Sequence, residues 1–144
     1  MGSFMKKHTT LVSLFVMSLT VLSACAPAAG RPAIPYMAQP SEIIGAAAQF
    51  GPQIQPGGAF NYLGIETIGD SFITLAADQT TGMQVLGALG GTSQTTIRIT
   101  LTTVESGDVT QVAISGLPRG NSVASSTVDK LVRELDTRFQ RAPQ

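Results

Sequence analysis

The chain has 144 residues, of which 12% are charged, with no net charge, one cysteine and no tryptophan. That length suits a single domain, the composition is too apolar and too weakly charged for whole-chain disorder, and a lone cysteine excludes an intramolecular disulfide framework. No basic stripe is available to neutralise a run of phosphates, so nucleic acid is not an expected partner.

Lys6, Lys7 and His8 precede the apolar run "TTLVSLFVMSLTVLSA", which ends in small residues. A basic start, a short apolar stretch and a small-residue exit have the layout of an export signal. The run is shorter than the roughly 18–20 apolar residues of a membrane span, and Ser and Thr interrupt it. A translation start at Met5 gives the more usual "MKKHTTL". The alternative of N-myristoylation fails because Lys6 stands where that signal wants Ser or Thr.

Leu22-Ser23-Ala24-Cys25 resembles the lipobox of bacterial lipoprotein precursors. The resemblance covers residues 5–25 and is specific because the three parts occur in the right order and spacing. It implies cleavage between Ala24 and Cys25, a diacylglyceryl thioether on the Cys25 sulfur and an acyl group on the new amino terminus. Leu22 suits an apolar protease subsite, and Ser23 and Ala24 are small enough to pass the cleavage site. One myristoyl-length chain gives only reversible membrane binding, at about 0.8 kcal/mol per buried methylene, so two or three long chains make the attachment effectively permanent. The residue after the cysteine is Ala26 rather than Asp. The resemblance therefore implies the outer membrane in a bacterium with two membranes, and otherwise the outer face of the cytoplasmic membrane.

Removal of residues 1–24 takes away Lys6 and Lys7, leaving 7 of the 9 basic side chains against 9 acidic ones. "APAAGRPAIPYMAQP", Ala26 to Pro40, carries four prolines and one charge. Proline fixes φ and lacks an N–H, so this stretch cannot continue a helix or join the centre of a sheet. Residues 25–40 are expected to be a lipidated cysteine and an extended tether, reaching roughly 30–45 Å at about 3 Å per residue. Residues 41–144 form the expected single domain.

Within that domain Ser41 is the expected N-cap of a short helix with Glu42 in its first turn, and Ile43, Ile44, Ala47 and Ala48 share one face. Strands are expected near residues 59–68 and 71–78, joined by a two-residue turn at Gly69-Asp70. Their imperfect alternation suggests a bulge or burial on both faces. "QTTGMQVLGALGGTSQ" fits a short strand or a poorly formed helix. It lacks the lysine of a phosphate-binding loop and reads as a Gly-rich connector.

Ile97, Ile99 and Leu101 alternate with Thr96, Arg98, Thr100 and Thr102, the pattern of a half-buried strand. Placing Val104 opposite Val109 across the four-residue loop "ESGD" sets Leu101 against Val112 and Ile99 against Ile114, all on one face. The other face, rich in Thr with Arg98 and Gln111, is expected to be solvated or to meet a polar partner. Last, Ala124, Val128, Leu131, Val132, Leu135 and Phe139 form the stripe of an amphipathic helix, capped by Asn121 or Ser125. Asp129 with Arg133, Lys130 with Glu134, and Glu134 with Arg138 are candidate ion pairs on its wet side.

These elements predict an α+β fold: an antiparallel sheet of about four strands covered on one face by the C-terminal helix and a short N-terminal one.

Catalytic resources are sparse. If the chain is processed as the resemblance implies, the mature chain holds no histidine, since His8 is removed with the signal, and its one cysteine is alkylated. Ser-His-Asp, Cys-His and thiol-redox chemistry and imidazole or thiolate metal sites are therefore not expected. Lys130, the only mature lysine, is expected on the exposed side of a helix. Glu66, Asp70, Asp78, Glu105 and Asp108 leave a carboxylate hydrolase or a weak Ca²⁺ site as a minor alternative, against the commoner role of acidic residues in turns. No catalytic residue, metal or cofactor is expected beyond the covalent lipid. The expected function is a non-enzymatic, membrane-anchored envelope lipoprotein that binds a protein or envelope component. The alternative is a carrier or sensor of an apolar ligand held between sheet and helices, with "LGALGG" as its lid.

Overall fold

The computed structural model describes residues 31–90 and 96–144. The expected signal segment, with Ala24 and the expected lipidation site Cys25, lies outside the described residues. Five strands form one antiparallel sheet: β1 (Ile34–Tyr36), β2 (Gly64–Ile68), β3 (Phe72–Asp78), β4 (Thr96–Ser106) and β5 (Val109–Leu117), in the spatial order β1-β5-β4-β3-β2. Helices α1 (Pro40–Phe50) and α3 (Ser122–Arg138) contact β3, β4 and β5 and each other. A further helix, α2 (Thr81–Leu89), links β3 to β4. The α+β class, with helices on one sheet face, is as expected, with five strands rather than four.

Alternation along the central strands decides which face is covered. Ile97, Ile99 and Leu101 of β4 lie beside Ala77, Leu75 and Ile73 of β3, and Leu101 lies beside Ile114 of β5. Directly opposed residues share a face, and all of these are buried. The helices answer with Ile43, Ile44, Ala47 and Phe50 from α1 and Val128, Leu131 and Leu135 from α3. Asn121 caps α3, its side-chain oxygen accepting from the Ala124 N–H at 2.9 Å. At Gly116 the sheet comes close to α3: a Cβ there would lie 3.2 Å from that of Ala124.

The β4–β5 register differs from the expected one by two residues. Ser106 opposes Val109 and Leu101 opposes Ile114, so the connection is the two-residue turn Gly107-Asp108. Gly107 takes φ +64, a conformation that a Cβ disfavours and glycine accepts freely. A shift of two keeps every side chain on its own face, which is why the expected burial survives the wrong pairing. The first hairpin is displaced by one: the Gly69 N–H donates to the Phe72 carbonyl at 2.8 Å, leaving Asp70 and Ser71 as the turn residues.

The expected tether is shorter than 25–40. Ile34–Tyr36 form an edge strand paired with β5, and Tyr36 is fully buried. Pro35 is tolerated because its missing donor faces the outer edge of the sheet, where its carbonyl accepts from the Ala142 N–H at 2.9 Å. Helix α1 also begins earlier than expected: Gln39 rather than Ser41 is the N-cap, Pro40 opens the first turn, and the Glu42 carboxylate accepts the Gln39 N–H at 2.8 Å.

The chain's last residues close the β1 edge. The Met37 N–H donates to the Gln140 carbonyl at 2.9 Å and Tyr36 bridges to Arg141. The Tyr36 hydroxyl donates to Asp136 at 2.8 Å, and Arg141 grips the same carboxylate with two 2.7 Å bonds. Arg141 and the Tyr36 hydroxyl together hold the Asp136 carboxyl below the usual range. Burial, reinforced by Asp136, pushes the Tyr36 phenol well up. The Tyr36 ring meets Phe139 edge-on, with centroids 6.3 Å apart.

Two measurements follow from this packing. Leu101→Ala should cost about 2–5 kcal/mol in urea unfolding, whereas Val104→Thr, on the open face of the same strand, should cost no more than about 0.5 kcal/mol. Asp136 binds its proton less readily in the folded chain than in the unfolded one, where its ordinary value is 3.8. Its contribution is therefore complete above that pH and is lost as pH falls through the depressed folded value. The urea-midpoint gap between wild type and Asp136→Asn should be constant from pH 7 to 5 and close below about pH 4; a gap unchanged at pH 3 would refute the latch.

Candidate interaction surface

Both packed helices lie on one side of the sheet, so no described helix packs on its other face. The register sets Thr74, Thr100 and Ser115 in one row across β3, β4 and β5, and Phe72, Thr102 and Ala113 in the next. A third row holds Gly64, Ala76, Arg98 and Leu117. Thr102, Ser115 and Arg98 are exposed, while Thr74 and Thr100 are half-buried by their neighbours and hydrogen-bond each other at 3.2 Å. The Thr-rich face expected from the β4 pattern is thus present and solvated.

One charged contact stands on this face. Arg98 Nε lies 3.0 and 2.9 Å from the two oxygens of Glu66. Glu66 is the extra residue of a bulge: Ile65 opposes Leu75 but Thr67 opposes Thr74. The bulge changes the alternation of β2, so that Ile65 and Ile68 both take the helix side while Glu66 turns to Arg98. The expected bulge is therefore present, and burial on both faces is not: every residue of β2 is exposed. With both groups 38–49% exposed, the pair fixes geometry more than it stabilises.

The two outer strands differ. The C-terminal residues cover β1, whereas β2 pairs only with β3 and no described strand lies beyond it. The outer edge of β2 is a short row of backbone donors and acceptors of the kind an added strand can pair with.

The other singled-out residues are dispersed. Asp78 ends β3 and accepts the Thr96 hydroxyl at 2.6 Å, while Asp70, Glu105 and Asp108 sit at the opposite end of the sheet, in and beside the two hairpin turns. The carboxylates considered as a possible acid/base set are thus divided: Asp70, Glu105 and Asp108 share the turn end, Asp78 lies at the other, and Glu66 is paired with Arg98. Among the described residues no three His, Cys, Asp or Glu side chains meet as a metal site. Lys130 is not on a free helix face: its ammonium donates to the Gln55 carbonyl at 2.8 Å and the Pro56 carbonyl at 3.2 Å, tying α3 to the loop before β2. Asp129 pairs with Arg31 across the fold, with Arg133 a weaker electrostatic neighbour that also favours its charged form. The Arg138 guanidinium lies 5.1 Å from the Phe50 ring centre. The expected i,i+4 ion pairs of α3 give way to these tertiary partners.

Sequence reasoning missed Tyr36 and the Glu66–Arg98 contact. For Glu66 the signal was the broken alternation near residue 66; for Tyr36 no local signal exists, because its strand is three residues long. The chain matches no protein-family model, no curated protein and no solved structure.

Proposed function

We propose that the protein is a non-enzymatic bacterial envelope lipoprotein, held to a membrane through Cys25, whose uncovered sheet face and β2 edge bind an envelope protein or another envelope component. The Leu22-Ser23-Ala24-Cys25 motif behind its basic start and apolar run carries the anchoring half of this reading. Ala26 after the cysteine favours the outer membrane where there are two. The hydroxyl-rich open face supports the binding half: it offers donors, acceptors and one neutralised cation, which suits a polar macromolecular surface. Arg31, Arg98 and Arg141 are each paired with a carboxylate, so they form no phosphate-binding stripe and nucleic acid stays outside the reading.

The two other readings gain less support. An apolar-ligand carrier needs room between sheet and helices, yet a Cβ on Gly51 would lie 2.8 Å from Leu75 Cδ1 and one on Gly116 3.3 Å from Ile99 Cδ1. A carboxylate hydrolase needs two acidic groups about 5–9.5 Å apart at one enclosed site, whereas Asp70, Glu105 and Asp108 stand exposed in and beside turns, Asp78 lies at the opposite end of the sheet and Glu66 is paired with Arg98.

The mass of the mature N-terminal peptide tests the anchor. Cleavage before an acylated Cys25 is expected, with Cys25→Ser leaving an uncleaved precursor; a free thiol on a chain released by salt would overturn it. For the surface, a photo-crosslinking residue at Thr102 should capture a discrete envelope component in cells that the same residue at Arg133 on α3 does not. Identical capture patterns would remove the open face as the binding surface.

A further inference from the structure

The two ends of the sheet differ in chemistry. At one end lie the turns Asp70-Ser71 and Gly107-Asp108, with Asp70, Glu105 and Asp108 exposed to solvent. At the other, β3 finishes at Asp78, β4 starts at Thr96 and α2 bridges them. No charged residue occurs from Gln79 to Ile97. Helix α2 buries none of its side chains. Met83, Val85, Leu86 and Leu89 are 38%, 56%, 62% and 82% exposed. At about 100° per residue these four occupy roughly 160° of the helix circumference. Gln84 lies on the other side, its amide donating to the Gln79 carbonyl at 2.8 Å. The apolar stripe is therefore continuous and aimed away from the body. Two more apolar side chains are exposed at this end: Tyr62, next to the residue whose N–H meets the Asp78 carbonyl, and Leu117, the last residue of β5.

The chain from Cys25 enters the sheet at β1. Ile34 opposes Val112 and Tyr36 opposes Thr110, so β1 runs toward the turns from a level between the two ends of β5. Whatever its conformation, the six-residue path from Cys25 to Arg31 spans at most about 22 Å. A lipid on Cys25 therefore holds the body within reach of the bilayer, and the surface chemistry of the body decides which end faces it.

We propose that α2 lies on the bilayer to which Cys25 is anchored, with Met83, Val85, Leu86 and Leu89 among the lipid headgroups and upper acyl chains. This rests on the anchoring reading above and adds an orientation to it. Charge favours this pose: the uncharged helix α2 meets the membrane beside exposed Arg119, while the acidic turns stay away from anionic lipid. Tyr62 suits the same boundary, since its ring is apolar and its hydroxyl prefers water. In this pose the open sheet face stands on the side of the body and remains available to a partner.

The acylated protein can be tested directly, because a thioether on Cys25 leaves an introduced cysteine as the only reactive thiol. Leu86→Cys and Asp108→Cys chains, each carrying an environment-sensitive dye, are placed in phosphatidylethanolamine–phosphatidylglycerol vesicles containing nitroxide-labelled lipid. Both positions are exposed, so both variants should keep the wild-type urea midpoint. Quenching at residue 86 should exceed that at residue 108 by about threefold or more, as for a helix lying some 5–10 Å into the interface. Equal quenching in a sample whose N-terminal mass confirms the acylated cysteine would overturn the docking of α2 and leave the anchor standing. Two dye molecules per chain would mean a free Cys25 thiol, which overturns the anchor and the orientation together. A residue-86 dye shielded from lipid in a protein of dimeric mass would assign the stripe to a second copy and also overturn the proposal.

Discussion

Ile73, Leu75, Ile97, Ile99, Leu101, Val112 and Ile114 make one side of the sheet a continuous aliphatic plane, and keeping that plane out of water organises the molecule. A sheet face of this kind needs a second layer. Helix α1 covers β3 and β4, helix α3 covers β4 and β5, and the two helices touch. Because residues alternate along each strand, covering one face commits the other to water or to a partner. The Thr-rich open surface is thus the geometric complement of the core. No second pattern is needed to produce it.

The two helices do not span the whole width of the sheet, and its two outer strands are handled differently. At β1 the burial of Tyr36 and the Asp136–Arg141 contact bring residues 140–142 alongside the strand. At β2 the cover is incomplete, so Ile65 and Ile68 remain partly exposed although they take the helix side. The Glu66 bulge and its link to Arg98 interrupt the regular row of backbone groups. Both devices limit uncontrolled edge pairing, yet no described strand pairs with the outer side of β2. An accessible edge adjoining a hydroxyl-rich face is the feature of this fold best suited to recognition.

Polarity along the strand direction is a second asymmetry, independent of the covered and open faces. Acidic hairpin turns occupy one end, while the uncharged α2 occupies the other. In a tethered protein such a difference sets orientation as well as position. A lipid on Cys25 would limit distance, the apolar helix would select which end faces the bilayer, and the open face would then be presented laterally.

Local patterning determined the elements with strong periodicity. The 3.6-residue stripe from Ala124 to Leu135 specified α3 and its buried side, and the two-residue alternation of Ile97, Ile99 and Leu101 specified β4 and its two faces. The broken alternation around Glu66 announced the bulge, and the resemblance of Leu22-Ser23-Ala24-Cys25 to a lipobox is the basis of the proposed anchor. The tertiary structure decided whatever depends on a distant partner. Face assignment is blind to a shift of two residues, so the β4–β5 register was settled by the tight turn at Gly107. Ile34–Tyr36 became a strand because β5 and the C-terminal residues, about seventy and a hundred positions away, supply its hydrogen bonds and the pocket for Tyr36. Lys130, Asp129 and Arg138 exchanged the expected intrahelical neighbours for the Gln55 and Pro56 carbonyls, Arg31 and the Phe50 ring. Helical spacing places charges next to one another along a helix, but only packing brings in the partners that compete for them.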